Sequence, residues 1–201
     1  MELAQRTFDM HEWEWESRGD GRTVIGRMVP YNEVAEIMQR HPQSGEVVTF
    51  REQFLPRSCT AMVQAAEKRG NAGWMKFRIE HDDSFETWVG YAASIRDADD
   101  GGYATFRLYD SIDIDKVRSI LKESHTGLSV NFGAIVPPED RDGIVSHKQI
   151  HVEHCAATPM PAYAGAGITA MRNDAQELFV PHTPHLDSIK AMLDEIRKAP
   201  V

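Results

Sequence analysis

The sequence predicts a mainly β protein with peripheral helices (α+β), its strands wrapped into a closed or nearly closed barrel. Three observations lead there. Short runs in which apolar and polar residues alternate recur along the chain, as strands with one buried face require. Only two internal segments carry helical spacing. Clusters of Gly, Asp and Pro punctuate the runs, as tight connections demand. With 201 residues, 41% of them hydrophobic and 26% charged, the composition is that of a globular chain. At that length roughly 70% of the unfolded surface can be buried.

Taken in order, residues 23–31 (TVIGRMVPY) read as a strand ending at Pro30. Residues 47–55 alternate weakly, with Phe50, Glu52 and Phe54 on one side. Ser58 is placed to cap a helix running through Ala61, Met62, Ala65 and Ala66, and Gly70 to close it. Residues 75–80 alternate cleanly, Met75, Phe77 and Ile79 against Lys76, Arg78 and Glu80, and deliver His81 at the strand's end. Residues 90–96 and 103–109 form a hairpin around DADDGG. Ser111 or Asp113 caps a second helix with Ile114, Val117, Ile120 and Leu121 on one face. Leu128, Val130 and Phe132 alternate with Ser129, Asn131 and Gly133 in the next strand. A polar loop (VPPEDRDG, 136–143) leads to a last strand over 149–157. The barrel domain is expected over residues 1–172. Residues 173–201 are expected to hold a linker and a short amphipathic helix with Leu186, Ile189, Leu193 and Ile196 in a stripe.

The formal charge is −9 (22 Lys+Arg against 31 Asp+Glu), which argues against gripping nucleic acid by counterion release. No run approaches the ~18 apolar residues that span a membrane, and the N-terminus lacks the basic start and apolar core of a signal peptide. Cys59 and Cys155 form no CxxC pair, so a reducing, cytosolic setting without disulfides is expected.

Four groups could carry chemistry. His81, at a strand end, has an unperturbed pKa near 6.5 and suits general-base work; the plainer reading is a turn histidine bonded to Asp82 or Asp83. Ser129 is a strand hydroxyl between glycines that let backbone or substrate approach; taken alone it reads as an ordinary solvent-facing serine. His151, Glu153, His154 and Cys155 cluster near the C-terminal end of the barrel sequence. Strand parity sends His151 and His154 to opposite faces, which argues against zinc, and places His154 with Ile150, Val152 and Ala156 as a core residue. No cofactor and no metal site is expected. Trp13-Glu14-Trp15 reads as edge-strand packing.

Together these segments resemble the prohead (capsid maturation) proteases of tailed phages, serine peptidases related in fold to the herpesvirus assemblins. The resemblance spans about residues 24–168. Gly26-Arg27-Met28-Val29-Pro30-Tyr31 is similar to the opening strand. Glu52-Gln53-Phe54-Leu55-Pro56 is similar to the start of "E-x-F-x-P-G-A-F", with Arg57-Ser58 in place of Gly-Ala. Glu80-His81-Asp82 with Val89-Gly90 resembles the catalytic-histidine segment. Gly127-Leu128-Ser129-Val130-Asn131-Phe132 resembles "G-[ML]-S-x-G-F", with Asn131 departing from the usual glycine. Pro161-Ala162-Tyr163 resembles "P-A-Y".

The resemblance implies a barrel of the assemblin/prohead-protease type, with Ser129 as nucleophile, His81 as base, and His154 as the third member; Glu153, one residue away, is the alternative third member. It implies cleavage of scaffold and major-capsid-protein segments inside an assembling procapsid in the host cytoplasm, with self-cleavage and self-association. The loop over 136–143, with Arg141, is the candidate source of oxyanion donors. Two other readings stand beside it: a catalytically inactive capsid-assembly or scaffolding module on the same barrel, and a metal-dependent hydrolase using His81, Asp82 and His154.

Overall fold

Twelve strands and two helices follow one another along the chain in a computed structural model that describes residues 14–15, 21–40, 45–81 and 84–172. In order they are β1 (Glu14–Trp15), β2 (Thr23–Pro30), β3 (Ala35–Arg40), β4 (Val47–Phe54), α1 (Thr60–Arg69), β5 (Lys76–Ile79), β6 (Trp88–Asp97), β7 (Gly101–Leu108), α2 (Ile114–Glu123), β8 (Gly127–Ala134), β9 (Glu139–Arg141), β10 (Ile144–His147), β11 (Ile150–Thr158) and β12 (Gly167–Arg172). A single 3₁₀ turn, Phe85–Thr87, precedes β6.

Seven strands close a barrel in the order β12-β2-β7-β6-β5-β11-β8, and β8 returns to β12 where Gly127 meets Gly167. Neighbours run antiparallel except β5 and β11, which are parallel. Strand β1 lies parallel to β12. A second sheet, β3-β4-β10-β9, packs beside the barrel, with β10 parallel to β4. The mainly β architecture with peripheral helices is therefore what the alternating runs predict.

Inward-facing residues fill the barrel. Phe77 of β5 and Phe106 of β7 stack at 4.4 Å between ring centroids. Val24, Met28, Leu108, Leu128 and Val152 are fully buried around them. Each such side chain contributes about 1.5–3 kcal/mol of burial free energy.

Several local expectations change. The N-cap of α1 is Cys59, without a side-chain cap bond, while Ser58 is buried one residue earlier; Gly70 does close the helix, at φ 71. Helix α2 is capped by Asp113, whose carboxylate accepts from the Lys116 N–H at 3.2 Å. The loop over 136–143 instead contains β9 and leads straight into β10. These two pair across Asp142 and Gly143, both with positive φ (54 and 71), as a type I′ hairpin turn requires. Strands β3 and β12 are additional. Their mixed residues, AEIMQR and GITAMR, show little alternation, yet β12 is the strand that closes the barrel. The expected linker and helix over 173–201 lie outside the described residues.

Candidate functional site

The strand that carries Phe77 inward ends in a turn that redirects the chain. Glu80 adopts φ 60, a left-handed conformation uncommon for a residue with a Cβ. Its N–H donates to the Ala157 carbonyl at 2.9 Å, and its carboxylate lies 3.1 Å from His125 Nε2, just before β8. Beyond this turn His81 Nδ1 lies 3.0 Å from His154 Nε2, with the rings inclined at 56°. Asp82 and Asp83, the alternative partners of His81, lie outside the described residues.

His154 reaches that position through a bulge. On β11, Val152 pairs with Phe132, but the next paired residue is His154, opposite Asn131. Glu153 is the extra residue. It shifts the alternation, so Ile150 and Val152 face the core while His154 faces outward with Ala156. The parity expectation is thereby corrected twice. His154 does not belong to the inward face, and His151, opposite Gly133, shares the outer face with it. His151 stacks on Trp74 at 5.7 Å. No group of three or more His, Cys, Asp or Glu among the described residues could hold a metal ion. The Glu153 side chain is exposed and makes no hydrogen bond or ion pair with a described residue; the histidine that meets His81 is His154, only 8% exposed.

Ser129 lies on the same outer face. It pairs with Ala156, which pairs in turn with Arg78 on β5, so Ser129 and His154 are diagonal neighbours on adjacent antiparallel strands. Such neighbours stand about 7–8 Å apart, a gap that a third side chain can bridge. Ser129 is half-buried, and its hydroxyl makes no hydrogen bond with a described residue. The structure thus joins His81 to His154 directly and sets Ser129 beside them without a formed Ser–His bond. The start of β8 is tight. A Cβ on Gly127 would lie 2.5 Å from the Pro161 ring, so glycine is what lets the 161–163 loop press against the strand.

Electrostatics favour a neutral His81. Although much of the residue is exposed, its Nδ1 edge meets the buried His154. Desolvation holds its pKa below the usual 6.5; Arg78 acts in the same direction, and Glu80 opposes it. A neutral imidazole is the form that can accept a proton.

Beside Ser129 opens a cavity of about 310 Å³. One wall is β8 itself. Beyond Gly127, β8 pairs with β11 only, so the other edge of residues 129–132 borders the cavity. Strands β3 and β4 supply Ile37, Phe50 and Glu52 to its walls, and the 161–163 loop supplies Tyr163. Glu52 is the centre of a buried cluster: Tyr163 donates to its Oε1 at 2.7 Å, and His147 Nε2 lies 3.1 Å from its Oε2. Burial, then the bond to Glu52, pushes the Tyr163 phenol well above its ordinary value.

Sequence reasoning gave no role to Glu52, His147 or Tyr163 as a unit, nor to the Glu80–His125 pair. One signal was visible. Glu52 is a lone carboxylate between Phe50 and Phe54 on one strand face, and such a residue needs buried partners. Arg141, considered as an oxyanion donor, is exposed in β9 and paired with Glu139 at 2.7 Å; it does not line the cavity. Compared with known proteins, the chain matches no family model and no curated relative.

Proposed function

We propose that this chain is a serine endopeptidase of the prohead-protease type, cleaving scaffold and capsid-protein segments during procapsid maturation and cutting itself in the process. The observation that carries this reading is the 3.0 Å contact between His81 and His154, on the face that Ser129 shares and beside the cavity that Ser129 lines.

In this reading Ser129 Oγ attacks the peptide carbonyl carbon as His81 Nε2 takes its proton. The carbon–nitrogen bond then breaks, and the same proton passes to the leaving amine. Water repeats the sequence on the acyl-enzyme, releasing the acid and restoring Ser129. His154 Nε2 accepts the Nδ1–H of His81, fixing the tautomer that leaves Nε2 free. A neutral histidine stabilises the imidazolium less than a carboxylate does, so turnover is modest. That suffices where substrate is held at high local concentration within one assembling shell.

The test is labelling with a fluorophosphonate probe, followed by intact-mass analysis of the protein coexpressed with candidate capsid protein. The expected result is one adduct on Ser129, and capsid processing that disappears with Ser129→Ala. A folded protein that neither labels nor cleaves overturns the peptidase reading and leaves an assembly module on the same barrel.

A further inference from the structure

The cavity beside Ser129 has a composition that points to one kind of occupant. Its walls combine apolar side chains, including Met28, Ile37, Phe50 and Phe132, with polar ones, and Glu52 is the only carboxylate among its described lining residues. At about 310 Å³ it is at the small end of ligand pockets, with space for one long side chain.

Two side chains hold the Glu52 carboxyl in place. Tyr163 contributes a phenol O–H that burial keeps protonated. His147 Nδ1 is buried without a hydrogen-bond partner. No Lys or Arg pairs with Glu52 among the described residues. The result is an oriented carboxylate, 8% exposed, with a lone pair left on each oxygen and no Lys or Arg partner among the described residues. A buried charge without a counter-ion is costly, and a cation entering the cavity relieves that cost.

We infer that this cavity is a specificity pocket for a lysine or arginine side chain of the polypeptide substrate, with Glu52 as the residue that recognises its charge. The inference rests on the peptidase reading for the word substrate, but not for the binding itself. The aliphatic stem lies along the apolar walls while the charged head meets Glu52. The unpaired edge of β8 over residues 129–132 supplies main-chain donors and acceptors for an extended segment crossing the mouth, which brings the peptide bond next to the basic residue to Ser129.

Binding is measured by calorimetry with the Ser129→Ala protein and two capped peptides identical except for lysine or norleucine at one position. Charge-assisted hydrogen bonding makes the lysine peptide about 10- to 100-fold tighter. Adding Glu52→Gln is expected to collapse that ratio toward one. A second variant leaves the buried cluster intact: Gln39→Lys, at an exposed position on the cavity wall, introduces a competing cation and is expected to lower the ratio as well. Equal affinities for the two peptides, or a lysine preference that survives both substitutions, overturns the inference. Probe labelling of the wild-type serine is scored separately. A charge preference that depends on Glu52, in a protein whose Ser129 never labels, removes the peptidase reading and keeps the pocket.

Discussion

Among the described residues, His154 meets His81 on the outer face of the barrel, and His147 meets Glu52 within the second sheet. The inner members are equally hidden, His154 at 8% exposure and His147 at 6%. Their partners differ. Glu52 is itself buried and held again by Tyr163, so that cluster is closed on all sides except the cavity. His81 is exposed and reached through a left-handed turn at Glu80. Bulk solvent reaches His81 at the surface, whereas Glu52 is reached only by what enters the cavity. Two equally buried histidines thus orient groups of different access, so the burial of a histidine alone does not say what its partner can meet.

The largest effect breaks the outer cluster. Ser129→Ala and His81→Ala are each expected to lower kcat by about 10⁴-fold or more, and the double variant to be no worse than either, because groups acting as a unit fail together. Peptide-cleavage kinetics on purified protein measure this. Next comes the orienting member. His154→Ala is expected to cost about 10²- to 10⁴-fold in kcat, as loss of a tautomer-fixing group does, while Glu153→Gln stays within about twofold. A large loss with Glu153→Gln and a small one with His154→Ala would reverse the assignment.

The inner cluster is expected to answer in stability instead. Tyr163→Phe leaves Glu52 Oε1 without its 2.7 Å donor in a buried setting, a loss of about 1.5–3 kcal/mol. His154→Ala, by contrast, frees a histidine that water already reaches, and is expected to cost under about 1 kcal/mol. Urea midpoints for the two variants, taken at equal m-value, test the contrast. Similar losses would mean that both clusters are architecture.

How much of this was legible in the sequence depends on what each feature asks of the residues. Helix α2 buries one face, so its periodicity is written plainly in Val117 and Leu121, whereas β5 alternates in sequence but buries Arg78 as well as Phe77. Strand β12 is different. Ala170 and Met171 are both buried and Gly167 packs close to a neighbouring strand, so no alternation marks it even though it closes the barrel. The hairpin of β9 and β10 is polar because β9 is an exposed sheet edge, and only Asp142-Gly143 announces it. In the candidate site, only the resemblance pointed to His81, Ser129 and His154 together, and the face on which His154 lies was not readable. One unpaired residue, Glu153, inverts it, and a bulge has no sequence mark beyond a local break in pattern. The Glu52 cluster was hidden for another reason: its members are separated by 95 residues for His147 and 111 for Tyr163, and only the long-range pairing of β4 with β10 and the approach of the 161–163 loop bring them together.

The smallest effect is also the one that most directly separates the two clusters, because it titrates the outer histidine in place. Desolvation by partial burial holds the His81 pKa below 6.5, so the neutral base persists to lower pH than a free histidine would. Activity, as kcat/KM, is therefore expected to rise with pH through a midpoint under 6.5 and then level off. The linkage to folding has the same sign. Between the folded pKa and 6.5 the unfolded chain binds more protons than the native one, so stability is full above 6.5 and falls as pH drops through the folded value. The neighbours give the direction of further shifts. Glu80 raises the pKa of His81 and Arg78 lowers it. Glu80→Gln is expected to move the kinetic midpoint down and Arg78→Met to move it up, each modestly, because His81 is exposed and salt screens the interaction. NMR titration of the His81 ring across the two variants measures the midpoints without turnover. A midpoint that stays fixed in both variants, or lies above 6.5 in the parent, would mean that His81 does not titrate in the setting that the His154 contact defines.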